Sequence, residues 1–235
     1  MYRILLSLVL IFPLLATQVS AAEELDKTLV APQEGDIVLG QADAPVFIVE
    51  YASLSCPHCA HFHNKVLPTL KKNYIETGKV KLVFRPFPLN LPAMQGSILT
   101  YCAGDDHFYN FLKVLFDTQD SWAFNKNYLE MLTNIGKLGG VKGDQFDKCL
   151  ADKELEGKIL SSKQYAVNAL KVRATPTFFI NGKLYEGEPD VGPLSSYIDE
   201  LLAGQETAPA EAEKKAEKPE ENAVDAMENA KGVEK

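Results

Sequence analysis

Positive charge is in short supply. Lys and Arg number 24 against 32 Asp and Glu, and the 235 residues carry a formal net charge of -8, so the basic surface that a nucleic-acid partner demands is missing. Long apolar runs are equally scarce: the one extended run, Ile4 to Leu15, falls short of the roughly 20 residues that cross a bilayer. No internal repeat is present, which argues against a repeat architecture. Core-forming material, by contrast, is ample. A hydrophobic fraction of 46% with 9% aromatics is too high for disorder throughout and fits a folded globular core.

The ends of the chain differ from its middle. Arg3 precedes the apolar run, and Val19, Ser20, Ala21 and Ala22 offer a small-residue cleavage site, the pattern of a secretory signal peptide over residues 1–22, cut near Ala21 or Ala22. An uncleaved anchor is the alternative, and the shortness of the run counts against it. Residues 204–235 are rich in Ala, Glu, Lys and Pro, with Val224, Met227 and Val233 as their larger apolar side chains; a solvated, disordered extension is expected there. Residues 23–203 remain, enough for one domain with a real core and too few for two large ones.

Cysteine is rare too, four in all, and an exported chain enters an oxidising compartment where disulfides form and persist. Cys56 and Cys59 sit in a tight Cys-Pro-His-Cys run, whereas Cys102 and Cys149 lie far apart in stretches of helical character. Val46 to Val49 is a β-branched and aromatic run suited to a central strand. Beyond the cysteines, Cys59, Phe62, Val66, Leu70 and Tyr74 recur at three- and four-residue steps, the stripe of a helix that Pro68 is expected to kink. Val80 to Arg85 then reads as a second strand, parallel to the first through a β-α-β unit. Residues 91 to 172 are helical in pattern. Thr177 to Ile180 returns to strand, Asn181-Gly182 is a strong hairpin signal, Lys183 to Tyr185 comes back, and a last helix is expected from Val191 to Leu202.

This placement gives Cys56 a special position. At a helix N-terminus a thiolate gains the positive end of the macrodipole and unpaired backbone N–H groups, so the Cys56 pKa should fall. His58 is expected to add a donor or a positive charge, and Pro57 suits a first turn because it has no N–H to leave unpaired. Both favour the reduced form. Two metal readings compete with this one. Cys56, His58, Cys59, His61 and His63 are soft and borderline donors for zinc or copper(I), yet they cannot all converge on one ion from a single helix. No metal is therefore expected, and His61 and His63 are taken as surface or groove residues. Haem attachment fails because Ala60 follows Cys59 where histidine is needed.

With its elements placed, the chain resembles the DsbA family of thiol-disulfide oxidoreductases over residues 23–203. The Cys-Pro-His-Cys dipeptide choice, the helical stretch between two sheet-forming halves, Thr175-Pro176 before a Phe-rich strand, and Glu50 six residues ahead of Cys56 carry the likeness together. It implies an α/β thioredoxin fold with an all-helical insertion, about residues 91–172, between β-α-β and β-β-α halves. It also implies that Cys56 and Cys59 exchange disulfides, with Glu50 as a buried acid and proton carrier beneath Cys59; an acid paired with Lys81 or Arg85 for stability alone is the alternative. Thr175 and Pro176 would form a cis-proline loop that meets the substrate as an added strand does.

No cofactor is implied. The expected partners are reduced secreted proteins that are still folding, and a quinone-linked membrane protein that reoxidises the enzyme in the periplasm. A monomer is expected. A dithiol oxidase is favoured over an isomerase or reductase, because the related isomerases carry an additional N-terminal dimerisation domain for which there is little room here. Thr175 stands where the best-known oxidases have Val, so the balance between these activities stays open. Cys102 and Cys149 are expected to form a structural disulfide; a redox-tuning pair, or two free thiols, are the alternatives.

Overall fold

The computed structural model describes residues 30–206 apart from 32 and 34. The leader assigned to residues 1–22 and the extension from 207 onward lie outside the described residues. Among those described, no helix is long and apolar enough to cross a membrane.

Five strands form one sheet in the order β1-β3-β2-β4-β5. The central strand β2 (Val46–Ala52) is buried along its whole length, and β3 (Val80–Pro86) runs parallel to it, pairing Val46 with Val80 and Glu50 with Phe84. On its other side β4 (Thr177–Ile180) is antiparallel, placing Glu50 opposite Phe178. The hairpin to β5 (Lys183–Leu184) turns at Asn181 and Gly182. Both residues have positive φ, 48° and 81°, the geometry for which an Asn-Gly pair is favoured. The Asn181 side-chain oxygen also accepts from Phe47 N at 2.7 Å, which ties the turn to β2. A two-residue edge strand, β1 (Val38–Leu39), pairs antiparallel with β3; it is too short to leave a periodic signal.

Residues 57–75 form the first helix. Its turns alternate between α-helical, α1 (Pro57–His61) and α2 (Leu67–Leu70), and π-helical, Phe62–Val66 and Lys71–Ile75. Pro68 lies in the first turn of α2. In place of a simple kink the ladder widens: Leu67 N bonds to Phe62 O, five residues back, which accommodates a residue that has no N–H and crowds the preceding carbonyls. The predicted stripe of Cys59, Phe62, Val66, Leu70 and Tyr74 is buried.

The insertion follows as α3 (Leu91–Cys102), α4 (Asp105–Asp117), α5 (Gln119–Trp122), α6 (Tyr128–Leu138), α7 (Gly143–Ala151) and α8 (Lys153–Asn168). The last helix, α9 (Val191–Glu206), continues past Leu202 into the first residues of the stretch expected to be disordered. Three apolar clusters result. One joins the sheet, Cys56 and Cys59 to the helical insertion around Trp122 and Phe116; the second packs the 57–75 helix and α9 on one face of the sheet; the third packs α8 on the other. Each fully buried Phe or Leu in them contributes about 1.5–3 kcal/mol. The arrangement is the thioredoxin fold with a helical insertion between its halves.

Candidate active site

The site is built where β2 ends. After Ala52 the chain turns through Ser53 to Ser55, and Cys56 N donates to Ser53 O at 3.0 Å. Cys56 is the N-cap of α1 with extended backbone, and Pro57 opens the helix. Cys59 lies one turn in, on the buried face, fully enclosed, while Cys56 retains 6% exposure. Cys56 is nearly covered because the loop carrying Thr175 closes over it: the Cys56 Sγ donates to Thr175 O at 3.2 Å. The Thr175–Pro176 bond is cis, and both residues are half-buried.

The two thiols are pushed in opposite directions. Cys56 is brought down to about 5. The hydrogen bond from the Cys59 thiol does most, against the opposing effect of burial; the Thr175 side chain and the backbone N–H groups of Cys59 and His58 add to it. Cys59 is pushed far up, first by burial, then by its hydrogen bond to Cys56 and the negative charge of Glu50. The backbone N–H groups at the helix start act in the direction expected from helix position, but the Cys59 thiol lowers Cys56 more. His58 contributes a donor through its backbone N–H, and its side chain is exposed.

Glu50 is completely buried on the strand face that looks toward the 57–75 helix, and its partner is neither Lys81 nor Arg85. Arg85 bonds Asp36 and Tyr51, and Lys81 bonds Ala42 O. The carboxylate instead meets His63, Oε2 to Nε2 at 2.9 Å. His63, expected at the surface or in a groove, is buried, stacked on Phe116 with ring centroids 4.1 Å apart. The i, i+4 spacing from Cys59 to His63 placed both on the inward face and could have signalled this. His61 is exposed and lies 3.5 Å from Asp190. Among the described residues no three His, Cys, Asp or Glu side chains are grouped so as to hold a metal ion.

One further residue has no counterpart in the sequence reading. Gln119, the first residue of α5, is buried, and its Nε2 donates to Leu54 O at 2.9 Å and Cys56 O at 3.0 Å. It ties the helical insertion directly to the backbone of the cysteine. A glutamine in a helical stretch ordinarily reads as surface, so nothing in the sequence pointed to it. Farther off, Cys102 at the end of α3 and Cys149 in α7 are bonded to each other, with Cα atoms 6.0 Å apart.

A family model described as thioredoxin matches residues 32–200. The crystal structure of Wolbachia pipientis alpha-DsbA1 superposes with a TM-score of 0.72 at 34% identity, covering 76% of this chain and 96% of that one. The chain belongs to the DsbA branch of the thioredoxin family. Two further relatives are similar in sequence. A Rickettsia felis protein named as a protein-disulfide oxidoreductase is 36% identical over 173 residues, 73% of this chain. A Bacillus anthracis protein named for disulfide bond formation, as protein D, is 35% identical over 171 residues, 70% of this chain and 77% of its own. The chain spans 62% of the length of the Rickettsia protein.

Proposed function

We propose that the protein is a periplasmic dithiol oxidase, acting as a monomer on exported proteins as they fold and reoxidised by a quinone-linked membrane partner. The observation that carries this reading is the opposition between the two thiols, Cys56 at about 5 and Cys59 driven upward. A substrate thiolate attacks the Cys56 sulfur of the Cys56–Cys59 disulfide. That bond breaks, its electron pair goes to Cys59, and Cys59 takes up a proton, with Glu50 as the carrier. A second substrate thiolate attacks the substrate sulfur of the mixed disulfide and expels Cys56, whose low pKa makes it a good leaving group. The substrate loses two electrons and the enzyme gains them. Stabilising the Cys56 thiolate stabilises the reduced enzyme, which makes the disulfide more oxidising.

Thr175 and Pro176 bring main chain beside the sulfur just ahead of β4, suited to pairing with an unfolded peptide through main-chain hydrogen bonds. The cysteines of the second pair are assigned to stability, because their bond joins two helices of the insertion and takes no part in the Cys56 environment. A leader at residues 1–22 supports export. The competing reading, an isomerase or reductase, draws on Thr175 and on the 25% identity to a structure described as a protein-disulfide isomerase from Novosphingobium aromaticivorans. Acid trapping and alkylation of the protein in living cells separates the two. A mostly oxidised Cys56–Cys59 pair is expected; a mostly reduced pair would make it an isomerase or reductase.

A further inference from the structure

Cys59 is fully enclosed, yet every cycle of exchange requires its sulfur to gain and lose a proton. Glu50 is equally enclosed, and while its Oε2 is bonded to His63, its Oε1 has no hydrogen-bond partner. A carboxylate in that position can take one proton and must then pass it on. His63 provides the continuation. Besides its bond to Glu50, it forms part of the wall of an open cleft of about 570 Å³ between the 57–75 helix, α4 and the β1 strand. None of Cys56, Pro57, Thr175 or Pro176 lines that cleft.

We propose that His63 is the proton outlet of the site, linking Glu50 to the cleft so that protons of Cys59 enter and leave on a different face from the substrate. This deepens the reading of the protein as a thiol-disulfide exchanger and rests on it. When Cys59 attacks a mixed disulfide, its sulfur forms a bond to Cys56, the departing thiolate takes the electron pair, and the Cys59 proton passes to Glu50. His63 takes a proton from the carboxyl on its Nε2 side and releases one to water in the cleft from the other ring nitrogen, so the pair ends with its original charge. Uptake on reduction runs the same way in reverse.

The surroundings suit this role. Phe62, Phe84 and Phe116 flank the imidazole with ring-to-ring contacts. The titratable groups facing it are Glu50 from β2 and Cys59 and Lys71 from its own helix. From α4 come Asp105, Asp106, Tyr109 and Lys113 at the cleft wall, and Lys113 is engaged by Asp117. The β1 segment contributes Ile37, Val38 and Leu39, which do not titrate.

His63→Gln tests the proposal, because glutamine keeps an N–H for Glu50 and cannot relay a proton. The measurement is the single-turnover rate at which Cys59 displaces a monothiol peptide from its mixed disulfide with Cys56, followed across the pH range. The variant should be slower by roughly a hundredfold near neutral pH and should recover steeply as pH rises and hydroxide takes over. Its Cys56 alkylation profile should match that of the unmodified protein. Should His63→Gln fail to fold, His63→Phe, which keeps a ring against Phe116, is read in the same way. A folded variant whose rate and pH profile parallel the unmodified protein would overturn the outlet and leave the oxidase reading intact. Failure of the oxidised unmodified protein to form a mixed disulfide with a substrate thiol at Cys56 would instead overturn the oxidase reading.

Discussion

The opposed thiols make the stability of the reduced protein depend on pH in a way the oxidised protein cannot share, since a disulfide does not titrate. Cys56 is held at about 5 in the folded reduced form and returns to an ordinary value of about 8.5 on unfolding. A depressed folded value contributes stability that is complete above the unfolded value and is lost as pH falls through the folded one. Cys59 has the opposite sign. Its raised value costs nothing below about 8.5 and removes stability as pH climbs beyond that. The reduced form should therefore gain on the oxidised form from pH 5 to about 8 and lose ground above about 9. The ceiling on the slope is about 1.4 kcal/mol per pH unit, and solvent near the sulfur screens part of it, so a net gain of about 2 kcal/mol from pH 5 to 8 is expected. Urea unfolding of both forms at a series of pH values measures it. Groups remote from the sulfurs are common to the two forms and cancel in the difference. A difference that stays flat within about 0.5 kcal/mol, or that falls over this range, would refute the assignment of a stabilised thiolate to Cys56.

Thr175→Val removes a hydroxyl that favours the Cys56 thiolate. A hydrogen bond to a charged group is worth about 1.5–3 kcal/mol, so the reduction potential against glutathione should become some 30 to 60 mV less oxidising. Replacing Cys102 and Cys149 together by Ala opens a loop whose ends are 47 residues apart; the loss should reach at most about 4 kcal/mol in thermal unfolding, with the exchange rate at Cys56 largely kept. Gln119→Met keeps the side-chain volume and strips the donors from Leu54 O and Cys56 O, at a cost of about 1–3 kcal/mol. Calorimetry should register that cost as a lower Tm, and an unchanged Tm would mean that Gln119 is not holding the loop.

Much of the site could be read before the structure because its signals are local. A strand running into Cys-Pro-His-Cys, an Asn-Gly turn, and a Pro ahead of a strand are written in adjacent residues, and β2, the hairpin and the Thr175-Pro176 loop appear where those signals put them. What stayed hidden depends on contacts across the chain. Gln119 is distant from Leu54 in sequence, and its burial follows from how α5 docks, which no periodicity encodes. The burial of Glu50 was legible, but its partner was not: the alternative of Lys81 or Arg85 rested on charge on the neighbouring strand, and Arg85 points to the opposite face, toward Tyr51, while His63 reaches Glu50 from the helix. The donor expected of His58 is there in its backbone N–H, which the geometry of a helix start aims at the sulfur.

The central position of β2 has a consequence in time. Its pairing with β3 joins residues about 34 apart, while its pairing with β4 joins Glu50 to Phe178 across the whole helical insertion. Contacts of such long range form slowly, and Thr175 reaches Cys56 only when β4 has docked. A chain emerging from its N-terminus thus displays Cys56 and Cys59 well before Thr175 exists to close over them. During that interval the cysteine pair is present without its completed site, and Cys102 and Cys149 appear in the same window as competing thiols. The order of synthesis thereby separates having the reactive sulfurs from having the enzyme, and the last strand to arrive sets the moment at which exchange becomes directed.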